Sequence, residues 1–142
     1  MLDAKPKHNR SVLAAALLVA AIVCSIPADD ADAQQHQASL EGAWSGSGRI
    51  VFPSGEVERA SCRASFSRHA ANSFRMSAVC ATPSARMVQS ATVERVSANS
   101  FAGSFFNSEY NVSGDISITL RGDRLSAQMR GGGGSGSFAL GR

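Results

Sequence analysis

From residue 40 onward, apolar and polar residues alternate in short runs that are separated by Gly, Pro, Asn and Ser. A period of two residues is typical of β-strands that bury one face, and no sustained helical period of 3.6 residues is present. We expect strands over residues 40–52, 59–67, 74–80, 88–96, 101–106, 110–120, 125–129 and 138–140. The sequence therefore predicts an all-β domain.

The number and spacing of these runs favour one architecture. Eight short strands follow one another with no segment long enough for a crossover helix, which is typical of a small antiparallel up-and-down barrel. Closing the barrel removes the exposed strand edges that promote aggregation. We predict a single β-barrel domain over residues 40–142, with a two-sheet β-sandwich as the alternative.

The first 33 residues have the three parts of a cleavable signal peptide. Residues 1–10 include four basic residues, Lys5, Lys7, His8 and Arg10. An uncharged apolar run extends from Val12 to Ile26, and small residues flank Asp32 at positions 31 and 33. The apolar run is shorter than the roughly 20 residues of a membrane-spanning helix. We predict cleavage before Gln34, a flexible N-terminal tail over residues 34–39 and a periplasmic or secreted protein. After cleavage no integral membrane span is expected; an uncleaved anchor helix is the alternative.

Two cysteines, Cys62 and Cys80, remain after the predicted cleavage. Exported proteins meet an oxidising compartment, so this pair is expected to form a disulfide. An antiparallel hairpin centred near residue 71 places the two cysteines directly opposite each other, where a disulfide is possible. The same register pairs Ala64 with Ala78 and Phe66 with Met76. Alternation and cysteine spacing thus predict the same hairpin.

Charge in the predicted mature chain is carried by arginine. Residues 34–142 contain eleven Arg and no Lys against seven Asp and Glu, a net charge of about +4 with His neutral. The arginines occur singly, without runs or interleaved aromatic residues, so we expect a solvated outer face and no nucleic-acid binding. A mildly basic surface also favours anionic partners such as lipid headgroups or polysaccharide.

Gly42-Ala43-Trp44, in the first predicted strand, is a Gly-x-Trp motif. It resembles the opening strand of the calycin superfamily, the lipocalins and avidins, which implies that the Trp44 indole lies across one end of a barrel. Length and motif also resemble small bacterial inhibitors of secreted metalloproteases, which implies that residues 34–39 act as an inhibitory tail. The overall pattern is similar to small exported bacterial β-barrel proteins of unassigned function.

Four residues are candidates for ligand binding: Trp44, Glu58, Phe66 and Tyr110. Trp44 either lines a pocket or plugs the barrel base, where its indole N–H requires a partner. Glu58 falls on the inward face near the first hairpin, at a pocket mouth or at a solvated rim. Tyr110 belongs to an aromatic cluster around one hairpin. The segment 131–137 is rich in Gly and Ser, and we predict a flexible loop there.

No catalytic residue, metal site or cofactor is predicted. A nucleophile requires a base, and residues 34–142 offer only His36 and His69, with no recognisable catalytic motif. We expect an exported, non-enzymatic β-barrel that binds a small apolar or amphipathic ligand or a protein partner in the cell envelope. The alternatives are a periplasmic protease inhibitor acting through residues 34–39 and a structural envelope-associated protein.

Overall fold

The computed structural model describes residues 39–142. The predicted signal peptide, residues 1–33, lies outside the described residues. So does the predicted tail, except for Ser39. Cleavage before Gln34 and the inhibitory role of the tail therefore stay predictions.

Eight antiparallel strands form a closed barrel in which each strand pairs with the next and the last pairs with the first. The strands are β1 (Gly42–Val51), β2 (Val57–Ala70), β3 (Ser73–Ala81), β4 (Arg86–Ser97), β5 (Ser100–Asn107), β6 (Val112–Arg121), β7 (Arg124–Gly131) and β8 (Gly134–Gly141). The predicted up-and-down barrel is confirmed, and the β-sandwich alternative is wrong.

The predicted hairpin and its disulfide are both present. Cys62 on β2 is directly opposite Cys80 on β3, and the two are joined by a disulfide with a Cα–Cα distance of 4.1 Å. Such a short distance is typical of a pair without mutual backbone hydrogen bonds, where opposing side chains approach most closely. Both cysteines are buried inside the barrel, so the disulfide staples β2 to β3 from within.

Because the strands alternate in direction, the turns divide between two ends of the barrel. The β1–β2, β3–β4, β5–β6 and β7–β8 turns meet at one end, which we call the open end. The other three turns meet at the opposite end, where residues 39–41 enter β1, and we call this the closed end.

The closed end is filled by large apolar side chains. Leu40 and Trp44 are buried there with Phe74 and Phe101, whose rings meet edge to face with centroids 5.4 Å apart. The Trp44 indole N–H donates to the Leu40 carbonyl at 2.9 Å, so the buried indole has the partner it requires. Trp44 thus occupies the position expected of a plug at the barrel base.

Three arginines cover this aromatic layer. The guanidinium of Arg68 lies 5.1 Å from the centre of the Phe74 ring. Arg95 lies over Phe101 at 4.6 Å, and Arg142 lies over Trp44 at 4.3 Å. Cations at these distances are attracted to the ring faces. These arginines therefore pack against the aromatic rings of the closed end, while the Arg68 side chain is still 47% exposed to solvent.

The prediction of a flexible loop over residues 131–137 is wrong. β7 continues to Gly131 and β8 begins at Gly134, so only Gly132 and Gly133 form the turn, with φ values of +61° and +80°. Two consecutive positive φ values are typical of the tight hairpin turn whose twist matches that of the flanking strands. The glycines make a hairpin possible here and do not loosen it.

Candidate functional site

A cavity of about 330 Å³ opens at the open end of the barrel. This volume lies within the range of small-molecule sites, which are mostly apolar with a few well-placed polar groups. Apolar side chains from six strands or their turns form most of its wall: Ile50, Phe52, Met87, Phe105, Val112, Met129 and Phe138. The cavity therefore has the size and the character of a ligand site.

Glycines on β7 and β8 create part of the space. Gly131, Gly134 and Gly136 line the cavity, and the Phe138 ring lies across Gly136. A Cβ at Gly136 would come within 2.6 Å of Phe138 Cε2, closer than real Cβ atoms approach a neighbour. The Phe138 ring thus packs directly against the backbone of Gly136. Because the neighbouring lining residues Gly131 and Gly134 also have no side chain, the space beside the ring stays open.

Two buried amides, Gln89 and Asn107, interrupt the apolar wall. They are directly opposite each other on β4 and β5, both line the cavity, and their exposed fractions are 8% and 5%. Met87 and Phe105 lie on the same inward faces of these strands. The two amides are therefore convergent polar groups in an apolar setting, as in many binding pockets.

The Asn107 side chain also holds the β5–β6 turn. Its Oδ1 accepts hydrogen bonds from the backbone N–H groups of Glu109 at 3.1 Å and Tyr110 at 3.2 Å. Backbone N–H groups only donate, so the atom they contact must be the amide oxygen. This fixes the orientation of the amide, and within residues 39–142 it leaves the Nδ2 donor without a partner. Tyr110, about half exposed, lies at the mouth of the cavity.

Glu58 lies near the open end, beside the β3–β4 turn. Its Oε2 accepts hydrogen bonds from the Ser84 Oγ at 2.9 Å and from the Ser84 backbone N–H at 3.4 Å. Hydrogen bonds from the hydroxyls of Thr82 and Ser84 hold the pKa of Glu58 below its ordinary value, because they favour the charged carboxylate. Glu58 is thus a partly solvated carboxylate that fastens β2 to the neighbouring turn.

The structure does not bring the four sequence candidates together. Tyr110 lines the cavity, whereas Glu58 is bonded to the adjacent turn and does not line it. Trp44 and Phe66 are buried toward the closed end, since Phe66 pairs with Gly42 at the start of β1. Of the four candidates, Tyr110 alone is among the described residues that line this cavity.

Gln89, Asn107 and the three glycines were not among the sequence candidates. Gln89 is the one polar residue in the buried series Met87, Gln89, Ala91, Val93, and Asn107 ends the inward series of β5. The feature of the sequence that could have identified these two residues is a single amide on an otherwise apolar strand face, since a buried amide needs a hydrogen-bond partner. For Gln89 the signal is obscured, because the apolar residues of the fourth predicted strand, at positions 88, 91, 93 and 96, fall on both faces and do not assign an inward one.

Across residues 39–142, no group of three or more His, Cys, Asp or Glu side chains is placed to hold a metal ion. Over the same range, no helix has the length and hydropathy needed to cross a membrane. The cavity is the feature of this part of the chain that best fits a function.

Comparison with known proteins identifies a fold and no family. No protein-family model matches the sequence, and no curated protein matches it. A redesigned β-barrel, mFAP1, bound to DFHBI, is similar with a TM-score of 0.62 and 12% sequence identity, over 72% of this chain and 94% of that chain.

Two further solved structures are similar. The redesigned β-barrel b11L5F_LGL has a TM-score of 0.58 and 13% identity, over 72% of this chain and 90% of that chain. A de novo designed fluorescence-activating β-barrel has a TM-score of 0.57 and 11% identity, over 72% of this chain and 93% of that chain. At these identities the likeness shows the barrel fold alone.

Proposed function

We propose that this protein is an exported, non-enzymatic binding barrel that holds a small apolar or amphipathic ligand in the cavity at its open end. One observation carries the proposal: a cavity of about 330 Å³ whose apolar wall contains the amides of Gln89 and Asn107. Small barrels are commonly filled by their own side chains. Here Leu40, Trp44 and two Phe rings fill the barrel interior toward the closed end, whereas the interior at the open end keeps a cavity.

Two further observations support parts of this proposal. The mFAP1 barrel, which is similar in fold, is bound to DFHBI, so this architecture accommodates a small molecule. The buried Cys62–Cys80 disulfide is typical of proteins in a non-reducing compartment, which agrees with the signal peptide predicted over residues 1–33. The periplasm or the extracellular space is the location we propose.

Native mass spectrometry and titration with the neutral apolar fluorophore N-phenyl-1-naphthylamine test the ligand proposal. We expect saturable binding with an increase in probe fluorescence. The Trp44 fluorescence is not a suitable reporter, because Trp44 is buried at the closed end. A Val112→Trp variant, which adds a ring at the cavity wall, is expected to abolish probe binding.

Val96→Trp is the matched control, because Val96 is 64% exposed and outside the cavity. This variant is expected to bind the probe as the parent protein does. No saturable binding to the parent protein, or equal binding to the Val112→Trp variant, would contradict the assignment of the cavity as the ligand site.

A second function is favoured by the distribution of charge on the outside of the barrel. The outer faces of five consecutive strands, β7, β8, β1, β2 and β3, form what we call the basic face. In residues 39–142, no Asp or Glu lies on these outer faces. The acidic residues that do point outward from a strand are Glu94 on β4 and Asp115 on β6, which are not part of the basic face. Six exposed arginines lie on the basic face: Arg49, Arg59, Arg63, Arg75, Arg124 and Arg130.

The arrangement of these arginines has a cost that an anion would relieve. Arg49 on β1 is directly opposite Arg59 on β2, and like charges in that position repel. Arg63 lies farther along the same outward face of β2. We propose that the basic face associates with an anionic envelope surface, in addition to the ligand function or in place of it.

Vesicles of phosphatidylglycerol and of phosphatidylcholine test this second function. We expect sedimentation with the anionic vesicles alone, and its loss at high salt, since the Debye length falls to about 3 Å at 1 M. The double variant Arg59→Gln/Arg63→Gln should bind less than Arg86→Gln/Arg121→Gln, which removes the same charge elsewhere. Binding that is insensitive to salt, or absent from anionic vesicles, would contradict it.

A further inference from the structure

The chemistry of the cavity wall indicates what kind of ligand it accepts. Among residues 39–142, no Arg, Lys, His, Asp or Glu side chain lines the cavity. A charged group moved from water into such a setting loses its hydration and gains no counterion, which is costly. Beside the lining residue Tyr110, Glu109 of the β5–β6 turn is charged, but it pairs at 3.8 Å with Arg86 at the start of β4, whose side chain is 64% exposed. A ligand inside the cavity is therefore disfavoured if it is charged.

The two amides supply the polar part of the site. Within residues 39–142, the Gln89 amide has no hydrogen-bond partner, and neither does Nδ2 of Asn107; the bonds of Asn107 all involve Oδ1. No side-chain N or O atom in this part of the chain is both fully buried and unpaired, so these amide atoms reach the cavity surface. Together they offer two donor groups and one acceptor oxygen on neighbouring strands.

Such a pair discriminates among ligands. Amides left unpaired when a ligand excludes water cost free energy, whereas a ligand that matches them restores the hydrogen bonds. A ligand amide group has an oxygen that accepts from Asn107 Nδ2 and an N–H that donates to Gln89 Oε1. A hydrocarbon satisfies neither group, and a carboxylate brings an uncompensated charge.

We propose that the cavity is specific for neutral amphipathic molecules that carry an amide or similar carbonyl group, which is held by Gln89 and Asn107 while the apolar body contacts the wall. This specificity rests on the proposed ligand function of the cavity. It adds the chemical class of the ligand and names the two residues that determine it.

Competition against bound N-phenyl-1-naphthylamine tests the specificity. The competitors share one chain length: decanamide, decanoate and decylammonium. We expect decanamide to compete at least tenfold more strongly than either charged analogue. Gln89→Met, which removes the amide at similar volume, is expected to lower the affinity for decanamide about tenfold. It should raise the affinity for the apolar probe, because the bound probe then leaves one amide fewer without a partner.

Asn107→Asp provides a second, charge-changing variant. The carboxylate keeps an oxygen for the N–H groups of Glu109 and Tyr110, so the β5–β6 turn is preserved. It removes the Nδ2 donor and adds a negative charge to the cavity. We expect decanamide binding to fall about tenfold and decylammonium to become the preferred competitor.

The outcomes separate the two proposals. If the probe does not bind the parent protein, the ligand function itself fails. If the probe binds but decanoate or decylammonium competes as well as decanamide, the ligand function stands and the proposed specificity is overturned. Unchanged decanamide binding in both variants would also overturn it, since the amides would then take no part.

Discussion

Gln89 and Asn107 are directly opposite each other across the β4–β5 pair, and both amides lie inside the barrel among apolar side chains. Within residues 39–142 they form no hydrogen bond with each other. Opposed amides on paired strands are close enough to act on one small group. The register of β4 and β5, which is set by their buried faces, therefore brings together the two side chains that we propose bind the ligand.

Gly136 is expected to control the size of this cavity. A Gly136→Ala substitution places a Cβ 2.6 Å from Cε2 of Phe138, so the ring must move, and the cavity that it lines must change shape. We expect weaker binding of N-phenyl-1-naphthylamine together with a loss of about 1–3 kcal/mol in the free energy of unfolding, as in other overpacked cores. Fluorescence titration and urea unfolding measure the two effects.

Gly141→Ala is the control for this substitution. A Cβ at Gly141 meets its nearest atom, the Asp123 carbonyl oxygen, at an ordinary 3.6 Å, and Gly141 does not line the cavity. Probe binding should be unchanged there. Equal binding by the parent protein and both variants would show that the Phe138 ring does not determine access to the cavity.

The Cys62–Cys80 disulfide is expected to contribute a large share of the stability. The two cysteines are 18 residues apart, and the chain-entropy account gives about 3 kcal/mol for closing a loop of that size. The double variant Cys62→Ala/Cys80→Ala should therefore lose roughly that much free energy of unfolding in urea denaturation. A small domain has a modest core, so this is a large fraction of its total.

Reduction of the parent protein gives an independent measure of the same quantity. Dithiothreitol should lower the urea midpoint of the parent protein toward that of the double alanine variant and should not affect the variant. Should the parent protein keep its midpoint after complete reduction, verified by thiol titration, the disulfide makes no net contribution to stability.

The barrel and its disulfide could be predicted from the sequence because both depend on local periodicity. Inward positions recur every second residue, so Ala64 and Phe66 define a buried face without knowledge of other strands. The position of Cys62 on that face and of Cys80 on the next then determined one register, which the structure confirms.

The cavity could not be predicted in the same way. It depends on which strands meet at the open end and on the glycines of β7 and β8, which place no side chain in the space between them. Gly134 and Gly136 are indistinguishable from loop residues in a Gly- and Ser-rich segment until β8 is seen to pair with both β7 and β1. Gly132 and Gly133, the actual turn, belong to the same run. Trp44 was a reasonable candidate as the sole Trp, but its strand position places it at the closed end.

The closed end is expected to be independent of ligand binding. Leu40 is fully buried against the Trp44 layer, and a Leu40→Ala substitution should cost about 2–5 kcal/mol in the free energy of unfolding. The hydrogen bond from Trp44 to the residue 40 carbonyl involves the backbone and is retained. The cavity lies at the other end, so probe affinity should be unchanged under conditions in which the variant is folded.

Val96→Ala is the comparison for the Leu40 variant. Val96 is 64% exposed, and substitutions at such sites usually change stability by less than about 0.5 kcal/mol. A large loss of probe affinity in Leu40→Ala, with Val96→Ala unaffected, would show that the two ends of the barrel are coupled.

Glu58 is expected to make the stability of the barrel depend on pH in the acidic range. Hydrogen bonds from Thr82 and Ser84 lower the pKa of Glu58 in the folded protein, so the unfolded chain binds the proton more readily. The resulting stabilisation is fully present above the ordinary glutamate pKa and is lost as the pH falls through the lower, folded value. Because the carboxylate is partly solvated, the effect should be small.

Ser84→Ala isolates this contribution, since Ser84 Oγ donates to Glu58 at 2.9 Å. Urea unfolding of the variant and of the parent protein should differ most at neutral pH, and the difference should shrink toward zero as Glu58 becomes protonated in both states. Ser126→Ala, on the exposed outer face of β7, should show no such trend. The prediction is contradicted if Ser84→Ala lowers the free energy of unfolding by the same amount at pH 7 and well below the folded pKa of Glu58. The hydrogen bond from Ser84 would then not favour the charged carboxylate, and the contact between the two side chains would contribute packing alone.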